Sequence, residues 1–420
     1  MMARTDAIVL GAGIVGVSAA LHLKARGLSV ALVDRQAPGE ATSFGNAGVI
    51  EGSALLPVSL PRDPLTLLRH ALKLSPQSNY RLAALPGYAS WLTAYFRASA
   101  PAAQAVIGRE LRPILALARA EHHALAKPAR AMGLLSATGY LKLYHREADL
   151  AATAVERALA DELGVAYTVL DAAGVRVLEP ALKPGFTAAV HWHDCDNVSD
   201  PGGLVKAYAA LFEQQGGLSL RGDARSLRRS GARWRVETAE GPVDADVAVV
   251  ALGPWSLDLL KPLALPAPLP MAVKRGYHVH FAAQPGVVLN RGVTDRAGGF
   301  ALQWTKGGIR ATTGVEFARR DDPPTDIQVR RVIANVRKLL PVGAVREAEP
   351  WLGFRPAFAD SKPVIGPAPG QPGLFLDFGH SHWGLTLGPV SGRLLADLVT
   401  GATPCIDPAP FAPTRFAKGA

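Results

Sequence analysis

Three glycines near the N-terminus form the pattern with the clearest chemical purpose. Gly11, Gly13 and Gly16 stand in the order Gly-x-Gly-x-x-Gly. In that order the first glycine permits a tight turn, the second lets the backbone approach a pyrophosphate, and the third lets a helix pack closely on a strand. Asp34 follows about 20 residues later, where its carboxylate can accept hydrogen bonds from both ribose hydroxyls of an adenosine. The pattern predicts a dinucleotide site and, because a carboxylate repels a 2′-phosphate, argues against NADP.

The segments around these glycines predict the elements that would position them. Residues 7–10 are an apolar run typical of a buried parallel strand, residues 17–25 favour a helix, and residues 28–33 favour a second strand. A helix that begins at the glycine turn offers free N–H groups and partial positive charge to phosphates. A glycine motif alone is weak evidence, but here a complete strand–helix–strand unit surrounds it. The motif does not by itself separate FAD from NAD.

Composition bounds the size of the protein and its partners. The chain has 420 residues, 49% of them hydrophobic, which suits two intertwined domains with a large core. Its formal net charge is +10, but the arginines are scattered, so we expect no nucleic-acid partner. Cys195 and Cys405 are its two cysteines, which give no disulfide framework and indicate a reducing compartment. We therefore expect a cytoplasmic protein.

Two further patterns concern membranes and metals. No apolar stretch reaches the ~18 residues that a membrane span needs, and residues 82–96 come closest. The helices expected between residues 64 and 98 either dock on a bilayer or cover the core, so peripheral contact with the inner face of the cytoplasmic membrane stays open. Two histidines and two aspartates within residues 191–196 resemble a metal cluster, but we interpret them as a polar turn and expect no metal.

The rest of the pattern predicts a helical segment followed by an antiparallel sheet. Residues 55–129 favour helices joined by proline-containing turns, and residues 141–144 favour a strand. Alternating polar and apolar residues over 272–281, 299–305 and 309–315 indicate antiparallel strands. Other helices are expected at 204–215, 329–340 and 389–399, and other strands at 218–220, 233–238, 245–251 and 374–378.

Five segments, in the same order and spacing, resemble a known family of flavoenzymes. They are 42–48 (TSFGNAG), 249–256 (VVALGPWS), 353–356 (GFRP), 363–366 (PVIG) and 379–386 (GHSHWGLT). Together they resemble the FAD-dependent D-amino-acid oxidase superfamily, which also holds glycine and sarcosine oxidases. The first segment resembles the D-amino-acid dehydrogenase branch. Residues 381–383 depart from the usual loop of that branch, so the substrate can differ.

These patterns and the resemblance predict an α/β fold with two discontinuous domains. A Rossmann-like FAD-binding domain would comprise residues 1–52, 190–260 and 352–420. A second, α+β substrate domain, built on a mixed antiparallel sheet, would comprise residues 53–189 and 261–351. Catalysis would take place between them, at the end of the parallel strands. Because no cysteine stands where sarcosine oxidases anchor their flavin, the resemblance implies noncovalent FAD.

The glycine motif and the resemblance together assign the cofactor-binding residues. The expected contacts are Gly11, Gly13, Ile14, Val15, Gly16, Asp34, Arg35, Thr42, Ser43, Asn46, Ala47, Gly48, Ala224, Ala251, Gly253, Trp255, Gly379, Gly384, Leu385 and Thr386. Backbone N–H groups at 384–386 would lie near the pyrimidine edge of the flavin and stabilise the negative charge that gathers there on reduction. Asn46 either binds flavin or substrate or holds a turn, and Ala224 would offer only its backbone to the adenine.

The resemblance also implies an anchor for a substrate carboxylate, and Arg355 is the expected one. A guanidinium fork matches a carboxylate bidentately; the alternative is an ion pair with an internal acid. Tyr277 either donates to the same carboxylate or is a core aromatic residue on its strand. Segment 379–386 resembles the C-terminal flavin loop of the family and is called the flavin loop. Its histidines, His380 and His382, either contact the substrate and tune its protonation or pack as hydrogen-bonded side chains. Trp383 is expected to wall the pocket.

The implied reaction is the oxidative deamination of a small amino acid, with a D-amino acid favoured. A hydride passes from the substrate Cα to flavin N5, and the imine then hydrolyses. The dehydrogenase-like loop favours a quinone or another carrier as electron acceptor. Alternatives within the family are D-proline or hydroxyproline dehydrogenation and glycine or sarcosine oxidation. Alternatives of another class are the FAD domain of a tRNA-modifying enzyme and an FAD-bearing subunit of a larger complex.

Overall fold

The chain alternates helices and strands, and the computed structural model describes residues 3–417. The α-helices are, in chain order, α1 (Ile14–Ala25), α2 (Pro64–Ala71), α3 (Leu85–Ala98), α4 (Pro101–Ala126), α5 (Glu147–Ala151), α6 (Ala154–Glu162), α7 (Ala172–Leu178), α8 (Pro201–Gln214), α9 (Ser256–Leu260), α10 (Ile327–Leu339) and α11 (Gly384–Thr400). In the described part of the chain, no helix combines the length and the apolar character needed to cross a bilayer.

The strands are mostly short, and within residues 3–417 they form sheets of eight, eleven and three strands. In chain order they are β1 (Ala3–Leu10), β2 (Val30–Asp34), β3 (Val49–Glu51), β4 (Ser78–Tyr80), β5 (Leu135–Ser136), β6 (Tyr140–Tyr144), β7 (Tyr167–Asp171), β8 (Ala188–Trp192), β9 (Cys195–Val198), β10 (Leu218–Arg221), β11 (Arg228–Ser230), β12 (Arg233–Thr238), β13 (Gly241–Val250), β14 (Ala272–Ala283), β15 (Gly292–Asp295), β16 (Phe300–Thr305), β17 (Gly308–Thr313), β18 (Val315–Phe317), β19 (Val342–Val345), β20 (Trp351–Ala357), β21 (Val364–Pro367) and β22 (Leu374–Phe378).

The eight-stranded sheet has a parallel centre, as the apolar runs predict. Strands β10, β2, β1, β13 and β22 lie side by side and parallel, and β12 extends β13 in the antiparallel direction. The end of β1 is fully buried, because α1, α8 and α11 cover one face of the sheet and a second apolar cluster covers the other. The glycine turn and Asp34 therefore lie at the carboxyl ends of neighbouring strands.

Close packing at the glycine turn accounts for the small residues there. Gly11 has a φ of +107°, which glycine adopts without the clash that a Cβ brings. A Cβ on Gly16 would lie 1.8 Å from the Gly11 carbonyl oxygen. A Cβ on Gly388 would lie 2.8 Å from a side-chain carbon of Ile14, so the first turns of α11 and α1 also lie together.

The eleven-stranded sheet is mixed and covers the other side of the molecule. Its main order is β4-β18-β14-β17-β16-β15-β6-β8-β7, and both β19 and β20 also pair with β14. β15 pairs with β6 and β18 with β4 in parallel, whereas the other pairs are antiparallel. The predicted α/β fold with a second domain on a mixed antiparallel sheet is confirmed.

The two faces of β14 have different surroundings. Tyr277, Val279 and Phe281 pack in the apolar cluster that α10 completes. Since successive side chains of a strand point to opposite faces, Lys274 and Gly276 face the other way. Both of those residues line the large cavity described below.

The three-stranded sheet, β3-β9-β5, lies where the two larger sheets meet. Strand β3 directly follows segment 42–48, the second glycine-rich loop, and pairs with β9. Strands β8 and β20 lie at the expected domain limits near residues 190 and 352, and both pair within the eleven-stranded sheet. The domain limits stay a prediction.

Helix α11 begins at Gly384, earlier than the helix expected from residue 389. Pro389 lies inside the helix, and because proline has no N–H, the Leu385 carbonyl four residues earlier lacks its usual donor. The Nε2 of His122 on α4 donates to that carbonyl at 2.7 Å. Burial lowers the pKa of His122 to about 4, which keeps the ring neutral. A side chain from another helix thus replaces the missing backbone hydrogen bond.

Candidate active site

A large cavity lies between the two larger sheets. Its volume is about 2250 Å³. Asp34 and Ala224 line one end, Gly13 lines the middle, and Trp383 and Arg355 line the other end. Since a pocket for one drug-sized ligand has about 300–1,000 Å³, this cavity has room for a dinucleotide and a further small molecule.

Asp34 is held at the first end of the cavity by two backbone groups. Its Oδ2 accepts the Ala12 N–H at 2.7 Å and its Oδ1 accepts the Gln36 N–H at 3.0 Å. These bonds fix the carboxylate at the end of β2 and leave its remaining lone pairs free for ribose hydroxyls. Other predicted cofactor residues that line the cavity are Arg35, Ala47, Ala224, Ala251, Gly253 and Trp255.

The N-terminus of α1 faces the middle of the cavity. Gly13 is its N-cap and has no side chain of its own to cap it, and the first turn contains no acid. Ser43 from the second glycine-rich loop accepts the Ile14 N–H at 3.0 Å, so the two glycine-rich segments meet at this point. Gly13, Ile14 and Val15 line the wall. The first-turn N–H groups have no intrahelical partner and suit a pyrophosphate.

An unsatisfied polar atom indicates that the cavity takes a polar ligand. Thr42 Oγ1 is buried and has no hydrogen-bond partner within residues 3–417, whereas the Trp383 indole interacts with the Glu51 carboxylate. Buried polar groups in folded proteins are nearly always hydrogen-bonded, so a bound molecule is expected to satisfy the Thr42 hydroxyl. Together with the N-terminus of α1 and the fixed Asp34, this hydroxyl fits an FAD site that would extend from Asp34 towards Trp383.

Some predicted cofactor residues lie behind the cavity wall. A Cβ on Gly48 would meet the Val198 carbonyl oxygen, and one on Gly379 would meet the Phe358 ring. Thr386 Oγ1 accepts the Glu51 N–H at 3.2 Å and so joins α11 to β3. Gly16, Gly48, Gly379 and Thr386 shape the wall, whereas Gly384 and Leu385 line it. Direct contact of these residues with FAD stays a prediction.

Asn46 holds a turn in the second glycine-rich loop. Its Oδ1 accepts the Gly48 N–H at 2.8 Å, as a turn-forming asparagine does. Sequence reasoning missed Arg310, whose Nη1 donates to the carbonyl oxygens of Asn46 at 2.6 Å and Phe44 at 3.0 Å. Burial lowers the pKa of Arg310 to about 10. Arg310 thus fixes this loop from the eleven-stranded sheet.

Arg355 extends over Gly276 in the far wall of the cavity. A Cβ on Gly276 would lie 2.3 Å from Nη1 of Arg355, so only glycine leaves room for the guanidinium. Its two terminal nitrogens donate to the backbone oxygens of Gly314 at 3.0 Å and Thr313 at 3.3 Å. No carboxylate of residues 3–417 forms an ion pair with it. Burial lowers the pKa of Arg355 to about 10, so a buried charge faces the cavity without a counter-ion.

Lys274 is a second cation on the same wall, and sequence reasoning missed it. It lies opposite Arg355 in the β14–β20 register. Its Nζ is 3.5 Å from Ser381 Oγ and within 5.6 Å of the ring centroids of Trp91 and Tyr95. Burial, followed by the charge of Arg355, lowers the pKa of Lys274 to about 7. Lys274 lies two residues before Gly276 on β14, so both residues share one face of the strand. This spacing was the signal in the sequence that could have identified Lys274.

The two histidines of the flavin loop have different surroundings. His380 is buried, with Nε2 3.1 Å from Ser391 Oγ and 3.4 Å from Asp377. His382 lines the cavity and has no hydrogen-bond partner within the described residues. Burial, then Lys274 and Arg355, lowers the pKa of His382 to about 3, so its ring is neutral. His382 is the histidine that is free to meet a ligand.

Tyr277 lines the cavity, but its hydroxyl is engaged by protein groups. The hydroxyl donates to Glu316 Oε2 at 2.6 Å and accepts the Thr325 N–H at 3.0 Å. The hydroxyl oxygen also accepts Arg275 Nη2 at 3.0 Å. Because these three groups already occupy the hydroxyl, we do not expect it to donate to a substrate carboxylate.

Glu51 adds an acid at the flavin-loop end of the cavity. Burial raises its pKa, while Lys142 and the nearby Trp383 indole favour its charged form. Lys142 is already paired, with Nζ 2.9 Å from Glu156 Oε1. Sequence reasoning missed this group because its three members come from β3, β6 and α6, far apart in the chain.

The two histidines and two aspartates within residues 191–196 have hydrogen-bond or ion-pair partners in the protein. His191 Nε2 is 3.1 Å from the Thr138 carbonyl oxygen, and His193 Nε2 is 2.9 Å from Thr168 Oγ1. Asp194 and Asp196 both pair with Arg119. Within residues 3–417, no group of three metal-ligating side chains comes together.

Solved structures share the fold over nearly the whole chain. A glycine oxidase from Geobacillus kaustophilus matches with a TM-score of 0.77 at 22% identity, covering 99% of each chain. An L-proline dehydrogenase from P. horikoshii also matches with a TM-score of 0.77, at 18% identity, covering 100% of this chain and 99% of that one. At these identities the likeness shows the fold alone.

Sequence relatives and a family model give information beyond the fold. A D-amino-acid oxidase of Bradyrhizobium diazoefficiens is 31% identical over 97% of this chain and 98% of its own length. A D-amino acid dehydrogenase of Chromohalobacter salexigens is 30% identical over 98% of this chain and 99% of its own. The model of the DAO family, FAD dependent oxidoreductase, matches residues 6–398. With the cavity described above, these matches show that the chain belongs to the DAO family of FAD-dependent oxidoreductases.

Proposed function

We propose that the protein oxidises the carbon–nitrogen bond of a small α-amino acid, with a D-amino acid favoured. The observation that carries this proposal is Arg355, a buried guanidinium in the cavity wall without an ion-pair partner in residues 3–417. An α-carboxylate would supply the missing charge and match the planar fork. When bound, FAD supplies the acceptor for the two electrons that leave the substrate.

The side chains near Arg355 suit an amine as the reacting group. Loss of a hydride from Cα requires the substrate nitrogen to be neutral, because its lone pair forms the C=N bond. His382 is neutral and unpartnered within the described residues, so a ring nitrogen can accept a hydrogen bond from the amine. The substrate then leaves as an imine, which water hydrolyses to a keto acid and ammonia. Arg355 holds the substrate, and His382 orients its nitrogen.

The relatives support an amino acid as substrate but differ in which one. They include a D-amino-acid oxidase, a D-amino acid dehydrogenase and a glycine oxidase of Pseudomonas aeruginosa. One structural neighbour is an L-proline dehydrogenase. D-Proline or hydroxyproline dehydrogenation and glycine or sarcosine oxidation are therefore the alternatives within this proposal.

The test is anaerobic bleaching of the bound flavin by a panel of amino acids. The panel contains D- and L-alanine, D- and L-proline, 4-hydroxyproline, glycine and sarcosine. We expect D-amino acids to reduce the flavin fastest, followed on mixing by release of ammonia from the primary amines. A colourless purified protein, or a yellow one that no amino acid bleaches, would contradict the proposal.

For the second half-reaction we propose a quinone or another carrier, not oxygen, as electron acceptor. The D-amino acid dehydrogenase relatives support this choice. Under air, substrate turnover is expected to be slow and to accelerate when a soluble quinone is added. Peroxide released at the rate of substrate turnover without added quinone would instead identify an oxidase.

A further inference from the structure

Helix α2 has eight residues and, unlike the longer helices of the described chain, buries none of them. Leu65, Leu68 and Leu72 follow the i, i+3, i+7 spacing of a helix face and are 67%, 52% and 58% exposed. A surface helix normally turns such a stripe towards the core. Here the leucine stripe faces outward.

The inward side of α2 explains why the stripe cannot turn. Thr66, Leu67 and His70 line the cavity. Nδ1 of His70 lies 2.5 Å from Ser78 Oγ on β4. Asp63 caps the helix by accepting the N–H groups of Leu65 and Thr66. The helix is therefore fixed with Leu65, Leu68 and Leu72 on the outside.

The residues that flank α2 extend the apolar surface. Val58 is 53% exposed and Leu74 is 60% exposed. We call Val58, Leu65, Leu68, Leu72 and Leu74 together the α2 surface. A contiguous exposed patch of large apolar residues on a folded protein usually marks an interaction site.

The segment that carries the α2 surface is mostly basic. Asp63 is the one acid between residues 58 and 100, and its side chain is used as the helix cap. The bases in the same segment are Arg62, Arg69, Lys73, Arg81 and Arg97, of which Arg81 lies 4.0 Å from Asp322 outside the segment. Exposed leucines bordered by basic side chains are complementary to an anionic lipid surface, where the leucines enter the headgroup region and the bases meet phosphates.

The α2 surface lies beside the rim of the cavity. Residues 58–61, 66–67 and 69–71 line the cavity and also reach the protein surface, so they form its rim. We propose that the α2 surface docks on an anionic bilayer and holds this rim against the membrane, so that a lipid-soluble electron acceptor enters the cavity from the bilayer. The entry route rests on the proposed function, whereas the docking does not.

The experiment is co-sedimentation of the FAD-loaded protein with vesicles of phosphatidylglycerol and phosphatidylcholine, and with vesicles of phosphatidylcholine alone. The test variant is Leu65→Gln/Leu68→Gln/Leu72→Gln, since glutamine keeps good helix propensity. The control variant, Val177→Gln/Leu218→Gln/Val288→Gln, removes three exposed apolar side chains that lie outside the α2 surface. Flavin content and Tm are measured for both variants, and Leu65→Ala/Leu68→Ala/Leu72→Ala replaces the test variant if either falls.

We expect the wild-type protein and the control to bind the anionic vesicles, and the test variant to bind at least tenfold more weakly. Higher salt should weaken the binding without abolishing it, because leucine burial contributes beside charge. Equal binding of test and control variants would overturn the proposal. So would a wild-type protein that ignores both kinds of vesicle, or one whose α2 surface is covered in a stable dimer that the test variant dissociates.

Flavin bleaching separates the docking from the catalytic proposal. The test variant should be bleached by amino acids as fast as the wild type, while its reduction of a membrane quinone in anionic vesicles falls about tenfold. If no amino acid bleaches any of the proteins, the proposed function fails and the vesicle-binding result still decides the docking. If quinone reduction is equal in test and control variants, the entry route is wrong.

Discussion

The two ends of the cavity are built in different ways. At the dinucleotide end, the wall consists of backbone: the turn at Gly11, the N-terminus of α1 and the peptide N–H groups that hold Asp34. At the substrate end, the wall consists of long charged side chains, Arg355 and Lys274, which reach the cavity from neighbouring strands.

This difference separates two demands on the protein. The pyrophosphate and ribose offer the same groups in every FAD, so a rigid backbone cradle suffices and depends little on pH. In the proposed function the substrate is recognised by charge, which requires desolvated cations that reduce stability until a ligand arrives. Changes at the first end should therefore affect cofactor retention and folding, and changes at the second end should affect catalysis and pH dependence.

The largest effect is expected at the backbone-built end. In Gly16→Ala the new Cβ would lie 1.8 Å from the Gly11 carbonyl oxygen, which forces α1 away from the turn. We expect a loss of about 3 kcal/mol in the free energy of unfolding and protein that purifies without flavin. Urea unfolding and the visible spectrum measure both. Gly87→Ala is the matched control, since nothing lies within 4 Å of its added Cβ; full flavin content in Gly16→Ala would contradict the assignment.

The next largest effect is expected at Arg355. Arg355→Lys keeps the charge but loses the planar fork, so kcat/KM for the amino acid should fall by about 100-fold while flavin content stays normal. Steady-state kinetics with a dye acceptor measure this. Arg330→Lys, in an exposed pair with Asp326 on α10, should leave kcat/KM unchanged. An equal, small effect of both changes would show that no carboxylate binds at Arg355.

Lys274 should make the stability of the substrate end depend on pH. Its folded-state pKa is about 7 against an ordinary value of 10.5. The folded protein thus binds fewer protons than the unfolded chain between these values, so the cost of burying the charge is complete below pH 7 and fades as the pH rises to 10.5. Lys274→Met should therefore be more stable than wild type at pH 6.5, and this gain should shrink by roughly 2 kcal/mol at pH 9.

Urea unfolding of the ligand-free protein at both pH values measures the Lys274 effect. A gain in stability that is the same at pH 6.5 and pH 9 would mean that the lysine is not desolvated. Lys206→Met is the control, because Lys206 lies in an exposed pair with Glu40 and its removal should have little effect at either pH.

The smallest effect is expected for Tyr277, and it tests which face of β14 belongs to the substrate. Tyr277→Phe removes one hydrogen bond to Glu316 and leaves the Thr325 N–H without its partner, which should cost about 2 kcal/mol in the free energy of unfolding. KM for the amino acid should stay within about twofold of wild type. Tyr167→Phe, whose exposed hydroxyl is 3.4 Å from Asp161, is the control for stability. A large rise in KM without a loss of stability would show that Tyr277 belongs to the substrate site.

The dinucleotide end could be predicted from the sequence because its signals are local. The glycine motif, the helix that follows and Asp34 lie within one short strand–helix–strand unit, and each part constrains the others. The mixed sheet was predictable from the alternating residues near 272–281. The start of α11 differs from the predicted one, because Pro389 is typical of a helix start and the compensating His122 lies far away in the chain.

The substrate end could be predicted only in part because it depends on strand register. Neighbouring residues of β14 face opposite sides, so a register that is wrong by one residue exchanges Lys274 for Arg275 and Gly276 for Tyr277. The sequence does not show which set faces the cavity. Arg355 was identified through its motif, whereas the group of Glu51, Lys142 and Glu156 depends on three elements that meet only in the folded protein.

Helix α4 joins the opening of the cavity to the flavin loop, and Pro113 lies inside it. Its 26 residues span about 39 Å. Near one end Gln104 and Arg109 line the cavity, and near the other His122 holds the Leu385 carbonyl. Because proline interrupts the helical hydrogen bonds, we expect the two halves of α4 to adjust separately, so that a displacement at the cavity opening is absorbed at Pro113. The half that carries His122 then keeps the Leu385 carbonyl, and with it the first turn of α11, in place.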